Sequence, residues 1–245
     1  MKKLLFSIFF LTIFAIGTFD LFLTQAIAAQ GLTTEEISPD KVESIARHVN
    51  VSVISEEPSR RAIECFDVNA ESGMIAIGFC GEDTARYVLV YDREFVFQYG
   101  YKFTDYGSFA IQWNNGDIVI YLVRGSYAVT LSPSGSVNAV EKVSDTVENS
   151  DYWRNHLDAT ERSAGDSKFL IRNNLGIFNF YEGSYSQLVR IDEDGQTTVL
   201  YDVSTGQGGS LTVITVAVII IAFSISLYLV FRIKKNKESM TSISS

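Results

Sequence analysis

The sequence predicts a mainly β protein. About three propeller-like repeats of four-stranded units form an incomplete ring, with a short N-terminal helix and one C-terminal transmembrane helix. Three features point there. From residue 61 onward apolar side chains recur with period two, and turn residues interrupt them every ~8–12 residues. Two stretches match each other at an offset of 60. A long apolar run, Leu211–Ile233, carries no charge as far as Arg232.

Met1-Lys2-Lys3, an apolar run from Leu4 to about Thr18 and the small residues of Ala26-Ile27-Ala28 make up a signal peptide over 1–28. The alternative is an uncleaved anchor, against which Asp20 counts, being costly in a permanent span. Residues 29–60 are a lead-in. Ser38-Pro39 supplies an N-cap and a proline at the first helical position, and Val42, Ile45, Ala46 and Val49 share one helical face. A helix over 39–49 follows, its apolar face packed on what comes next.

Residues 61–203 form the β-repeat domain. Phe66 and Val68 alternate, as do Ile75, Ile77 and Phe79, and Val88–Tyr91 is a buried run. Phe95, Phe97, Tyr99, Tyr101 and Phe103 set five aromatics on one strand face. They suit a sheet's inward side better than a platform for sugars or peptides. Turns are expected at 69–73, 92–94, 114–116, 132–135 and 192–195.

At the offset of 60, Phe109-x-Ile111-x-x-Asn114 matches Phe169-x-Ile171-x-x-Asn174, and Gly135 matches Gly195. Val129, Leu131, Val140 and Val143 match Val189, Ile191, Leu200 and Val203. Residues 62–103 make a weaker third copy. Units of this kind have the outline of propeller blades of ~40–45 residues. Three are too few to close a ring, which takes about four to eight. The lead-in helix, the insertion at 144–166 or a second chain would then cover the open edges, which otherwise invite strand addition. A pair of chains with six blades is one such arrangement; an open, incomplete stack or a sandwich is the alternative.

Phe66-Asp67-Val68, Gly73, Ile75-Ala76-Ile77 and Val88-Leu89-Val90-Tyr91-Asp92 resemble the WD40-like or NHL-like blades of exported bacterial proteins. The resemblance covers about 62–203, interrupted at 144–166. It lacks the Trp-Asp and Gly-His signatures. It implies a binding scaffold and no particular ligand.

The insertion is polar and acidic around Tyr152-Trp153, with Val147, Trp153 and Leu157 as the apolar side of a short helix. It is either a contact site or a solvated linker anchored by the Trp. Residues 204–210 are expected as a Gly/Ser tether. At ~1.5 Å per residue, the run 211–233 is long enough for a ~30 Å hydrocarbon core. Arg232, Lys234, Lys235 and Lys237 place the tail, 234–245, in the cytoplasm and the β domain outside the plasma membrane.

The chain has a formal net charge of −9. Counting 27 acidic against 14 basic residues over 30–210 leaves −13 on the outer part, which excludes nucleic-acid partners. The only cysteines are Cys65 and Cys80. A two-residue turn at Ser72-Gly73 would set them opposite each other, close enough for a disulfide. The alternative is two reduced, buried thiols, and a wider turn at 69–73 would move the register.

No catalytic constellation, cofactor motif or metal motif emerges. His48 and His156 lie far apart in sequence without a metal-binding pattern around them. Asp192-Glu193-Asp194-Gly195 lacks the later ligands of a calcium loop and fits an acidic turn. Carboxylate pairs suited to a hydrolase are expected by chance among so many acids. The expectation is a single-pass, membrane-anchored extracytoplasmic binding or interaction module. Its partners are the lipid bilayer, through the C-terminal helix, and an unidentified protein or ligand, with homo-oligomers allowed. A cell-surface carboxylate-dependent hydrolase and a structural subunit of a membrane complex are the alternatives.

Overall fold

The computed structural model describes residues 31–176, 179 and 183–241. The signal segment expected at 1–28 lies outside the described residues. Thr34–Glu35 (β1), the helix Pro39–Val49 (α1) and Ser52–Ile54 (β2) make the lead-in. In α1, Pro39 stands in the first turn and Asn50 closes the C-terminus in the left-handed region, as the Ser-Pro start and short apolar face anticipated. Val42, Ile45 and Val49 all face the core between the first two sheets.

Three antiparallel sheets follow. The first contains Cys65–Val68 (β3), Ile75–Cys80 (β4), Ala85–Tyr91 (β5) and Phe97–Thr104 (β6), in the order β3-β4-β5-β6-β2. The second contains Phe109–Asn114 (β7), Asp117–Leu122 (β8), Tyr127–Leu131 (β9) and Val137–Val143 (β10), in the order β7-β8-β9-β10-β1. The third contains Glu161–Ala164 (β11), Ser167–Arg172 (β12), Gln187–Ile191 (β13) and Thr197–Asp202 (β14), in that order. The lead-in thus lays one short strand on the outer edge of each of the first two sheets, satisfying backbone groups that would otherwise be bare.

The sheets do not close a propeller ring. One face of the first sheet shares a core with the second sheet and α1, and its other face shares a core with the third. The far face of the second sheet is covered by Leu32 and by Tyr152, Trp153 and Leu157 of the insertion. Among the described residues four tyrosines are fully buried, and each hydroxyl finds an acceptor across an element boundary. Tyr91 donates to Glu57 Oε1 at 2.8 Å, Tyr101 to the Ser132 carbonyl at 2.7 Å, Tyr121 to Gln112 Oε1 at 2.9 Å and Tyr201 to the Arg61 carbonyl at 2.7 Å.

The outer hairpins of the three sheets share one turn geometry. Asp92, Ser132 and Asp192 each donate N–H to the carbonyl four residues on and accept N–H from the residue three on. That third residue has positive φ in every case: Phe95, Gly135 and Gly195. Each hairpin also carries a register shift. In the first sheet it sends the expected aromatic row to two faces, because Tyr91 pairs with Phe97 while Val90 pairs with Tyr99. Phe95 and Phe97 therefore pack toward the third sheet, and Tyr99, Tyr101 and Phe103 toward the second. The row is core on both sides, but it is not one face.

Two boundaries differ from expectation. The insertion expected over 144–166 contains β11, the innermost strand of the third sheet, so Phe169 and Ile171 sit on the second strand there, whereas Phe109 and Ile111 sit on the first strand of theirs. The helix Ser204–Thr241 (α3) begins where a tether was expected at 204–210. Asp202 Oδ1 accepts the Ser204 N–H at 2.8 Å, capping the start, and the apolar run carries the helix onward. Among the described residues no helix is long and apolar enough to cross a membrane. The span expected over 211–233 is therefore not found among the described residues.

Candidate functional site

The inner strands β3, β7 and β11 meet beside the insertion, and one ion pair fastens that junction. Asp67 is the one charged residue in the Cys65–Val68 strand, which is otherwise apolar and wholly buried. Its Oδ2 accepts the Trp113 backbone N–H of β7 at 2.7 Å, and its Oδ1 accepts Arg162 Nε of β11 at 2.8 Å. Arg162 donates three further hydrogen bonds, to the carbonyls of Leu157, Ala159 and Glu161 at 3.4, 2.8 and 2.9 Å. Its guanidinium lies 5.2 Å from the centre of the Phe66 ring. Burial pushes the Asp67 carboxyl above its ordinary range, and the Trp113 N–H and Arg162 pull back without cancelling that shift. Three sheets and the insertion are therefore held by two side chains.

The insertion itself is built locally. Thr146 caps the helix Val147–Tyr152 (α2) by accepting the Asn149 N–H at 3.1 Å. Asn149 then exchanges two hydrogen bonds with the Thr33 backbone and donates to the Ser144 carbonyl. A π turn, Trp153–Leu157, completes the segment, with Leu157 buried, whereas Val147 of the expected apolar side is exposed.

Two cavities flank the junction. The smaller, about 320 Å³, is lined by Asp67, Gln112, Tyr152, His156 and Arg162 among others. Gln112 bridges Tyr121 and Tyr152 there, donating to the Tyr152 hydroxyl at 2.6 Å. The larger, about 510 Å³, opens where the first strand of each of the first two sheets begins. Its lining includes Trp153, Tyr185, Glu64 and Asp158, with Phe66 and Phe109 almost wholly buried behind it, and no lysine or arginine among the described lining residues. Burial pushes the Asp158 carboxyl up while the Trp153 side chain acts the other way. Under the same wall the Cys65 thiol is fully buried and pushed well up, by desolvation first and Glu64 second. We refer to this larger space as the axial cavity.

Most residues considered from sequence lie elsewhere. Cys65 and Cys80 are free thiols rather than a disulfide. The 69–73 turn is wide, with Gly73 N–H on the Asn69 carbonyl, so Cys65 pairs with Gly78 and not with Cys80. Positions diagonal across a ladder lie ~7–8 Å apart, beyond the ~4.4–6.8 Å Cα spacing that a disulfide spans. Cys80 is pushed up to about 12 by desolvation and Glu64.

His48 stacks on Tyr106 and His156 on Tyr152, so the two are not brought together. Asp192–Gly195 forms the outer turn of the third sheet, with the Asp192 carboxylate 2.9 Å from Arg190 and accepting the Ser167 hydroxyl. Among the described residues no group of three or more His, Cys, Asp or Glu side chains is placed to hold a metal. Glu64 and Arg162 carry no signal in the sequence, and Asp67 stands out there only within Phe66-Asp67-Val68. A lone Asp inside the apolar run around Phe66 and Val68 was the one available signal, since a carboxylate in such a strand requires a partner.

No protein-family model matches this chain, and no curated protein matches it.

Proposed function

We propose that this chain is a single-pass, membrane-anchored extracytoplasmic module that binds a ligand or partner at its axial cavity and performs no catalysis of its own. The observation that carries this reading is the cavity itself. Its volume falls in the ~300–1,000 Å³ range of small-ligand sites, and half-buried Trp153 and Tyr185 line it together with Glu64 and Asp158. The shared outer-hairpin geometry supports treating the three sheets as propeller-type units in an open stack. The anchoring part rests on the sequence run 211–231, which holds no charged residue, and on the basic cluster that begins at Arg232. In α3, Val213, Ile214, Ile219, Ile220, Ile221 and Phe223 are all exposed, a surface that suits lipid.

A photo-reactive amino acid at Val123, an exposed position on the cavity wall, tests the binding reading in native membranes. A specific crosslinked species from Val123, absent from Val199 on the third sheet, is the expected result. Crosslinks that form only from positions in α3 would instead favour a structural subunit whose helix makes the contacts. Protease added to intact cells should cleave the β domain and spare the C-terminal tail; the reverse pattern would overturn the topology.

A carboxylate-dependent hydrolase is the second reading. Glu64 and Asp158 line one cavity, and burial raises the Asp158 carboxyl above its ordinary range, the direction in which a general acid is tuned. Turnover of aryl glycosides by the purified chain, abolished by Asp158→Asn with folding intact, would establish it.

A further inference from the structure

We infer that the outer edge of the third sheet takes up an extended segment of a second, different polypeptide as an added antiparallel strand, with a lysine or arginine of that segment opposite Asp202. This surface is separate from the axial cavity and does not depend on it.

The first observation is a difference among three like edges. The outer strands β6 and β10 each carry an antiparallel strand of the lead-in, β2 on one and β1 on the other. The outer strand β14 carries none among the described residues. The three edges correspond position by position. Lys102, Lys142 and Asp202 stand equally far beyond the positive-φ turn residues Phe95, Gly135 and Gly195, and they pair inward with Tyr87, Tyr127 and Gln187. Val143 and Val203 then donate N–H inward, to the Ser126 and Ser186 carbonyls, so the backbone groups of Lys142 and Asp202 both point outward. In the first two sheets these positions are met, Lys102 by Ser52 and Lys142 by Glu35. At the other end of β14 the Gln196 carbonyl points inward to the Asp192 N–H, and alternation turns the backbone of Thr197 and Val199 outward.

Such an edge recruits strands unless something deters them. Thr197–Asp202 has no lysine and no proline, and Val199 is 46% exposed. The register shift at Leu200 is no bar, since β6 and β10 carry shifts at Gln98 and Asn138 and still accept a strand.

The second observation is an inverted charge, and it selects the occupant. On the second sheet Glu35 faces Lys142, an opposite-charge cross-strand pair. The corresponding residue of the third sheet is an aspartate. Asp202 is exposed and accepts Gln187 Nε2 at 2.6 Å and the Ser204 N–H at 2.8 Å. Among the described residues it belongs to no ion pair. Arg172 on the same sheet donates to Gln187 instead, at 3.2 Å. Two hydrogen bonds leave a carboxylate room for a cation. Glu193 and Asp194 are exposed at the far end of the edge, so both ends favour a basic strand. A second copy of β14 fits worse. Laid antiparallel about Val199, it would bring Asp202 of each chain beside the acidic 192–194 turn of the other. Tyr201 faces the first sheet beneath Arg60 and takes no part.

The test is hydrogen exchange read by mass spectrometry on the full chain in detergent micelles. The probes are acetyl-Thr-Lys-Val-Ile-Thr-Val-amide, its counterpart with Glu for Lys, and a copy of the first N-methylated at Lys and Ile. Without peptide the amides of Thr197, Val199 and Asp202 should exchange fast. The Lys peptide should slow them, at about 5-fold lower concentration than the Glu peptide. The N-methylated copy has lost its donors and should have no effect. Asp202→Lys should reverse the order of the Lys and Glu peptides. That order is read within one variant, so loss of the Ser204 cap does not enter it. In native membranes a crosslink to this partner from Val199 would differ in mass from the species expected at Val123. Equal slowing by the Lys and Glu peptides would overturn the basic assignment, and equal slowing by the N-methylated copy would overturn strand pairing. Protection that needs no peptide and grows with protein concentration would put a second copy on the edge and overturn the proposal. So would no slowing by any peptide, a result read on the unaltered chain.

Discussion

Removing the Asp67 carboxylate is the sharpest perturbation of the junction between the sheets. Asp67→Ala leaves the Arg162 guanidinium, whose side chain is only 15% exposed, without its counter-charge. Breaking a buried pair in this way costs about 3–5 kcal/mol. It also orphans the Trp113 N–H, and a buried donor without an acceptor costs about 1–3 kcal/mol. The two share one rearrangement and do not simply add, so a loss of about 4 kcal/mol is expected. For a chain of this size each kcal/mol moves the midpoint by about 2–4 °C, which gives a drop of about 8–16 °C.

Thermal unfolding followed by near-UV circular dichroism reads this directly. The double variant Asp67→Leu with Arg162→Met should recover part of the loss, because no desolvated charge then remains. Hydrogen exchange should also speed up around 157–161, where Arg162 holds the insertion carbonyls. A midpoint change below about 2 °C for Asp67→Ala, equivalent to less than about 1 kcal/mol, would refute the idea that this pair fastens the three sheets.

Other outcomes follow from the same geometry. A Cβ at Gly78 would stand 2.5 Å from Cys65 Sγ and 2.8 Å from Phe109, so Gly78→Ala should cost about 1–3 kcal/mol by overpacking, and Cys65→Ala in the same chain should return part of it. Intact mass of the unreduced protein after denaturing alkylation should show two modified thiols, and a reductant should leave the midpoint unchanged; a single mass two hydrogens lighter with no alkylation would mean that Cys65 and Cys80 are bridged after all. For Asp202, desolvation raises the carboxyl but is outweighed by hydrogen bonds from Ser204 and Gln187, so its folded pKa is depressed. Its contribution is present above the unfolded value near ~3.9 and is lost as pH falls through the lower folded value. Asp202→Asn should therefore speed amide exchange at the β14–α3 junction at pH 7 and make no difference once the native carboxyl is protonated. Equal effects at both extremes of pH would show that the cap does not depend on charge.

Sequence alone settled what depends on neighbours along the chain. Period-two alternation fixed strands, and the acidic and glycine-bearing turns fixed where they reverse. Ser38-Pro39 with Val42, Ile45 and Val49 fixed the lead-in helix. These signals are local because backbone geometry sets them within a few residues. Tertiary structure decided the rest. A bulge beside Tyr91 divided one aromatic row between two cores, and a wide turn slid Cys65 two positions away from Cys80. Glu161–Ala164 became an inner strand because the edge of β12 needed backbone partners, which no side-chain pattern announces. The axial cavity gathers Glu64, Phe109, Trp153 and Asp158, residues far apart along the chain, and only packing the sheets against one another could bring them together.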